Sequence, residues 1–146
     1  MKLYNTDIYH IKATCLIDSR DNPYRVIAIE KYKNLTNLAE AILGSFKFGC
    51  DHCFGFYDNI KNWTKSKVAY ERFVDVEQEY FAKDFAESPN ETSIDKVFKD
   101  ATPMLFLFDY GCEWLFTVSL VNKSEIMQDK TYPYVIEEHG KAPKQY

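Results

Sequence analysis

Two cysteines and a histidine lie close together in the segment Cys50-Asp51-His52-Cys53. Two thiolates at this spacing can bind one tetrahedral zinc ion, and His52 is a further candidate ligand. A complete site would need ligands from elsewhere, where the other cysteines and histidines occur singly. They are Cys15, Cys112, His10 and His139. Because no second CxxC motif and no HxxxH motif is present, we predict that Cys50 and Cys53 are metal-free, with a zinc site as the alternative.

A redox pair of the thioredoxin type is another interpretation of the CxxC motif. Such a pair follows a strand and stands at the start of a helix. Here a helix is predicted before the motif, and an aromatic strand, Phe54–Tyr57, follows it. We therefore predict reduced thiols beside the aromatic strand rather than a redox centre.

Acid–base chemistry is a second hypothesis, and it depends on residues that are far apart in the sequence. His52 would need carboxylates beside it, and Asp109 and Glu113 are the candidates because both lie among apolar residues. A histidine next to carboxylates can act as a general acid, a general base or a metal ligand. The alternative is a hydrogen-bonded set that only ties the end of a helix to the sheet.

Nucleic-acid binding is a third hypothesis, and it rests on a short lysine-bearing segment. Lys61, Lys65 and Lys67 flank Trp63, and lysines around an aromatic ring can bind single-stranded nucleic acid. The whole chain carries 18 basic and 22 acidic residues, a net charge of -4, which disfavours broad contact with phosphate backbones. A solvated loop with Trp63 resting on the surface is the alternative.

The most apolar part of the chain is Met104–Val121, which Asp109-Tyr110-Gly111 interrupts. Runs of Phe, Leu, Val and Trp on both sides predict two core strands that meet at a polar bend. Gly111 favours the bend because glycine tolerates unusual backbone conformations. A carboxylate among apolar residues needs hydrogen-bond donors. We therefore predict that Asp109 is at least partly buried and accepts hydrogen bonds from nearby backbone N–H groups or from His52.

Hydrophobic patterning predicts the elements that must position these residues. Ile8–Ile17 alternates between apolar and polar side chains, and Tyr24–Glu30 follows a polar turn, so both are predicted strands. The next segment has apolar residues at helical spacing, with Thr36 or Asn37 as its N-cap and Gly49 as its C-terminal stop. Its predicted inward residues are Leu38, Ala41, Ile42, Ser45 and Phe46.

The second half of the chain is less clearly patterned. Val68–Val76 is weakly strand-like, and Glu77–Asn90 is charged and ambiguous. Ser93 is the predicted N-cap of a short helix over Ile94–Asp100. The last segment, Tyr132–Tyr146, is predicted to be a tail that contains two prolines.

Length and composition indicate one globular domain over residues 1–146. Aromatic residues make up 16% of the chain, which indicates a core of large rings. The first ten residues lack the apolar segment of a signal peptide, and no apolar run reaches membrane-spanning length. We therefore expect a cytoplasmic protein with reduced cysteines and no membrane association.

Together these elements predict an α+β fold, a mixed, mostly antiparallel sheet with one main packed helix. The order strand, strand, helix, strand at the start is similar to a β-grasp arrangement. The leading functional hypothesis is a small accessory domain without a cofactor that binds a protein partner or associates with itself. An enzyme that is metal-dependent or uses acid–base chemistry at His52 and Asp109 is the alternative, and nucleic-acid binding comes third.

Three short motifs resemble those of one known family. They are Phe48-Gly49-Cys50-Asp51-His52, Asp109-Tyr110-Gly111 with Trp114, and Gly140-Lys141-Ala142-Pro143-Lys144-Gln145-Tyr146. In order and spacing they are similar to the plasmid pRiA4b ORF-3-like family, over most of the chain. The resemblance implies an α+β fold and a relation to bacterial, archaeal and mobile-element-associated proteins, largely of unknown activity.

The chain departs from this family pattern at two positions. The family usually has an aspartate after the glycine, where this chain has Cys112. It often has a histidine two residues after the tryptophan, where this chain has Phe116. A ligand or acid–base role that uses those two groups is therefore not carried over to this chain.

Overall fold

The computed structural model describes residues 6–146, which form a sheet of seven strands. The strands are β1 (Ile8–Cys15), β2 (Tyr24–Glu30), β3 (Phe54–Tyr57), β4 (Ala69–Glu71), β5 (Met104–Phe108), β6 (Trp114–Ser124) and β7 (Tyr134–His139). The main helix is α1 (Leu35–Ser45), and α2 (Ile94–Val97) is a single turn. Every pair of neighbouring strands is antiparallel. These elements confirm the predicted α+β fold with a mostly antiparallel sheet and one main helix.

The order of strands across the sheet is β4-β3-β5-β6-β1-β2-β7. The predicted succession strand, strand, helix, strand is present, with β1 and β2 forming a hairpin. β3, however, pairs with β4 and β5, so that β5 and β6 lie between β3 and β1. The apolar stretch that supplies β5 and β6 therefore joins the two halves of the sheet.

The N-terminus of α1 is closed by a reciprocal pair of asparagines. The Asn34 side chain accepts a hydrogen bond of 2.8 Å from the Asn37 N–H, and the Asn37 side chain accepts one of 3.2 Å from the Asn34 N–H. This capping box makes Asn34 the N-cap. It corrects the predicted cap at Thr36 or Asn37, because Asn37 serves as the returning partner three residues into the helix.

The C-terminus of α1 uses a Schellman motif that does not involve glycine. Lys47 has a left-handed φ of 62°. Its N–H donates to the Gly44 carbonyl at 3.0 Å, and the Phe48 N–H donates to the Leu43 carbonyl at 2.8 Å. The predicted stop at Gly49 is thus wrong by two residues. Phe48 and Leu43 are both buried in the main core, as expected for the hydrophobic pair that accompanies this motif.

α1 packs its apolar stripe on one face of the sheet. Leu38, Ile42 and Phe46 are buried there, as their helical spacing predicts, while Ala41 is only partly buried. The sheet supplies the alternating residues of its inner strands to the same core. They include Ile11, Ala13, Phe106, Phe116 and Val118.

A smaller apolar cluster covers the opposite face at the β4-β3-β5 end. Its buried members are Tyr57, Ala69, Leu105 and Leu107. The chain between β3 and α2 wraps over it, with 3-10 turns at Trp63–Lys65, Arg72–Val74 and Glu79–Phe81. The predicted strand Val68–Val76 is therefore only β4, and the predicted helix Ile94–Asp100 ends at Val97.

The C-terminal segment contains a strand that its sequence did not predict. β7 pairs with β2 at the edge of the sheet, and four of its six residues are exposed. An edge strand with both faces near solvent lacks the alternation by which strands are recognised. Arg25 of β2 holds this region, since its buried guanidinium donates to the carbonyls of His139 and Gly140 at 3.1 Å each and to Ser45 at the end of α1.

Neither helix within residues 6–146 is both long and apolar enough to cross a lipid bilayer.

Candidate binding site

Three segments that are distant in sequence meet at the end of β5. The Gln145 side chain forms two hydrogen bonds with the backbone of Gly49, at 2.9 Å to its N–H and 3.1 Å to its carbonyl. The Tyr146 hydroxyl lies 3.0 Å from both Asp109 Oδ2 and His52 Nδ1. The Asp109 N–H donates to the Cys53 carbonyl at 2.9 Å. Residues 48–52, 109–114 and 140–146 therefore form one structural site.

Asp109 stands at the centre of this site and has an unusual backbone. It follows the last residue of β5, has a left-handed φ of 64° and is 5% exposed. Its Oδ1 accepts hydrogen bonds from the N–H groups of Gly111 at 3.1 Å and Cys112 at 3.3 Å. The prediction of a buried Asp109 with backbone donors is confirmed, and its carboxylate closes the turn between β5 and β6.

The ionised form of Asp109 is favoured by these donors. Burial by itself raises the pKa of the carboxyl, but the hydrogen bonds from Tyr146, Cys112 and Gly111 outweigh burial and hold the pKa below its usual value. Burial and the hydrogen bond to Asp109 in turn raise the pKa of the Tyr146 phenol to about 12. Tyr146 is thus protonated at neutral pH and donates to Asp109.

His52 lies at the rim of the site with its ring about half exposed. Its Nδ1 is 2.9 Å from Asp51 Oδ1 and 3.7 Å from Asp109 Oδ2. The hydrogen bond to Asp51 raises the pKa of His52, burial opposes this, and the charge of Asp109 adds to the rise. The sequence hypothesis that His52 and Asp109 come together is therefore confirmed in geometry.

Glu113, the third member of the predicted polar cluster, is directed elsewhere. Its carboxylate accepts a hydrogen bond of 3.1 Å from the Trp63 indole N–H. Tyr146 takes the place beside Asp109 that Glu113 was expected to occupy. The sequence signal for Tyr146 was the Gln-Tyr pair that ends the third family motif, which patterning had assigned only to a tail.

The cysteines of the CxxC motif lie beside the site. Cys50 is exposed and Cys53 partly buried, and burial is the main cause that raises the pKa of each thiol. Within residues 6–146 no group of three His, Cys, Asp or Glu side chains is arranged to hold a metal ion. The expectation of reduced, metal-free thiols at Cys50 and Cys53 stays a prediction.

The lysine segment lies in the chain between β3 and α2, and its Trp63 packs against the smaller cluster. The Trp63 ring packs against Tyr57 and Tyr110, with centroid distances of 5.2 and 5.6 Å. A shallow cleft of about 400 Å³ is lined by Asp58, Asn59, Ile60, Lys61, Lys65 and Lys67. Because Trp63 packs inward, base stacking on its ring is not supported by its position, and nucleic-acid binding at the three lysines stays a prediction.

A groove of about 360 Å³ opens next to Asp109, and we call it the aromatic groove. It is lined by His52, Cys53, Phe73, Gln78, Phe81, Asp109, Tyr110 and Gly111. The Phe73 ring lies 4.7 Å from the Tyr110 ring and 5.8 Å from the Phe81 ring, between centroids. Sequence reasoning missed this groove because Glu77–Asn90 has no periodicity, although Tyr80-Phe81 in a charged segment was a signal.

A buried polar network fixes Tyr110 at the floor of the aromatic groove. Its hydroxyl lies 2.6 Å from that of Tyr57, and Tyr57 donates to Glu71. Glu71 is 1% exposed and also accepts a hydrogen bond of 2.7 Å from the Lys83 N–H. Burial raises the pKa of both tyrosines. Both hydroxyls are therefore kept protonated, and the network holds the groove in one shape.

Replacing Asp109 by alanine is expected to lower the free energy of unfolding by roughly 1–3 kcal/mol, because the donors of Gly111, Cys112 and Tyr146 lose their acceptor. Urea denaturation followed by circular dichroism measures the change. Asp109→Asn keeps an oxygen acceptor and tolerates positive φ, so its loss should be smaller. Asp84→Ala, at an exposed position, is the control and should stay within about 0.5 kcal/mol of the parent protein. An equally small change for Asp109→Ala would contradict the structural role of its carboxylate.

The chain has an antiparallel α+β fold in which three short polar motifs converge at the end of a central strand. The chain belongs to the plasmid pRiA4b ORF-3-like protein family, whose model matches residues 7–145. This confirms the resemblance inferred from the three motifs. The match covers nearly the whole chain.

A solved structure with a similar fold is that of a protein of unknown function from Methanosarcina mazei Go1. The TM-score is 0.68 at 18% sequence identity, and the alignment covers 90% of this chain and 68% of that one. At this identity the likeness concerns the fold alone. No protein of curated function matches the sequence.

Proposed function

We propose that this protein is a small, non-catalytic binding domain that holds a segment of another polypeptide in the aromatic groove. The observation that carries the proposal is the exposure of two large rings at the rim of the groove. Tyr80 is 78% and Phe81 60% exposed, and the two rings contact each other in a tilted arrangement, with centroids 4.3 Å apart. Exposed apolar groups grouped beside a concave site are typical of interaction surfaces.

The groove also has the rigidity that binding requires. Tyr110 is held from below by Tyr57 and Glu71, and the Asp109 turn is held by Gly111, Cys112 and Tyr146. A preformed site binds more tightly because less conformational entropy is lost on association. Its volume of about 360 Å³ suits one or two side chains of a peptide rather than a whole domain. A cytoplasmic location is part of the proposal, and the four free cysteines support it.

Selection from a displayed random peptide library tests the proposal without a known partner. We expect peptides that bind the parent protein and bind at least tenfold more weakly to Phe81→Ser, because the groove loses an aromatic wall. Tyr32→Ser changes another exposed ring outside the groove, so it should leave binding unchanged and serves as the matched control.

Two outcomes would overturn the peptide-binding proposal. One is that no peptide is enriched, and the other is that enriched peptides bind Phe81→Ser as well as they bind the parent. Dimers in sedimentation velocity that become monomers in Phe81→Ser would assign the groove to a second copy of the chain instead.

Acid–base catalysis is the second candidate, and one observation favours it. The Tyr146 hydroxyl lies 3.0 Å from both His52 Nδ1 and Asp109 Oδ2, so a proton has a path along hydrogen bonds from one to the other. A substrate that the parent protein turns over would favour this candidate over the first, provided that His52→Gln abolishes turnover without weakening substrate binding. One equivalent of zinc in protein purified without an affinity tag would favour its metal-dependent form.

A further inference from the structure

We infer that the aromatic groove selects a cationic side chain, that of a lysine or an arginine, on the polypeptide it binds. The inference rests on the proposed function and adds the chemistry of the ligand. It comes from two properties of the groove, the aromatic rings that line it and the carboxylates in and beside it.

Three aromatic rings, those of Phe73, Phe81 and Tyr110, line the groove. Phe73 lies between Tyr110 and Phe81, with centroid distances of 4.7 and 5.8 Å, and the Tyr80 ring contacts that of Phe81. Aromatic rings attract ammonium and guanidinium groups through the negative potential above their faces. The methylene stem of a lysine or arginine adds apolar contact with the same rings.

Two carboxylates contribute negative charge in and beside the groove. Asp109 lines the groove directly, and Asp51 lies beside His52 with a separation of 2.9 Å. These three groups sum to one negative charge if His52 carries a proton and to two if it does not. The positive charge of Arg72, which also acts on the lining Cys53, offsets one of them. A cationic ligand is therefore attracted most strongly when His52 is neutral.

Among residues 6–146, no lysine or arginine lines the groove. Arg72 stacks over the Phe54 ring at 5.7 Å, and Lys83 lies over the Trp63 ring at 5.5 Å while it donates to the Thr64 carbonyl. Gln78, which does line the groove, offers a side-chain oxygen that can accept a hydrogen bond from the ligand.

Two pairs of blocked pentapeptides that differ only in charge test the inference. The probes are acetyl-Gly-Leu-X-Leu-Gly-amide with X as arginine or its neutral twin citrulline, and with X as lysine or its neutral twin norleucine. Titration into isotope-labelled protein, followed by NMR, should shift the amide signals of Tyr110, Gly111 and Phe81. We expect each cationic peptide to bind roughly 3- to 30-fold more tightly than its neutral twin.

Substitutions in and beside the groove show which side chains cause the preference for cationic peptides. Asp51→Asn and Asp109→Asn should each reduce the ratio between cationic and neutral peptides, and Phe81→Leu should reduce it by removing the ring while keeping an apolar side chain. Asp51 is exposed, so its variant remains informative if Asp109→Asn fails to fold. Asp84→Asn removes an exposed carboxylate outside the groove lining and should leave the ratio unchanged.

The outcomes separate this inference from the proposed function. Neutral peptides that shift the same amide signals and bind as tightly as the cationic ones would overturn the selectivity and leave the binding domain intact. A ratio that falls equally in Asp84→Asn would also overturn it, because the preference would then come from net charge alone. If no pentapeptide shifts the groove signals, the inference fails, and the display selection decides the proposed function separately.

Discussion

Gly55→Val is expected to lower the free energy of unfolding by at least about 3 kcal/mol, the upper end of the usual cost of overpacking a core. An added Cβ would lie 2.6 Å from the Tyr110 hydroxyl and 2.7 Å from the ring and hydroxyl of Tyr57. These atoms belong to the buried network with Glu71, so moving them breaks hydrogen bonds that no water can replace. Urea or thermal denaturation of the purified variant measures the loss, and failure to fold is its extreme form.

Gly44 provides the matched control for this substitution. It lies within α1, and nothing comes within 4 Å of a Cβ placed there. Gly44→Ala should therefore be neutral or should stabilise the protein by up to about 1 kcal/mol, since alanine favours helix. If Gly55→Val and Gly44→Ala had equal effects, the close approach of Tyr57 and Tyr110 to Gly55 would not be as described. Gly55→Ala, with a smaller added volume, should fall between the two.

Ile42→Ala is expected to cost on the order of 2–5 kcal/mol. Ile42 lies on the inner face of α1 and is 0% exposed in the main core. Truncation removes three carbon atoms from a packed region and leaves a cavity that the rigid sheet cannot close. Urea denaturation measures the change in the free energy of unfolding.

Glu40 lies on the opposite, exposed side of the same helix. Glu40→Ala should change the free energy of unfolding by no more than about 0.5 kcal/mol, and it controls for effects on the helix itself. A loss below about 0.5 kcal/mol for Ile42→Ala would mean that the apolar stripe of α1 does not face the sheet. Both variants keep helix propensity high, so a difference between them reports burial.

The strands that carry the core could be predicted from the sequence because their signal is local. β1 alternates between buried and half-exposed residues, and β5 is a continuous apolar run that only a buried strand or helix can satisfy. The burial of Asp109 could be predicted for the same reason, since five apolar residues precede it. Local patterning did not reveal β7, because an edge strand exposes most of its side chains. It placed a strand over Val68–Val76 but did not give the bounds of β4, which has only three residues.

The site itself was decided by contacts that no local pattern contains. The sequence by itself determined the α+β class, the family and the placement of His52 and Asp109 beside core strands. Only the tertiary structure decided that Tyr146, 94 residues from His52, completes the cluster and that Glu113 turns to Trp63 instead. The same holds for the aromatic groove, where Tyr110 meets Tyr57 across 53 residues. Hydrophobic spacing determines which residues are buried, whereas the packing of whole segments determines which of them touch.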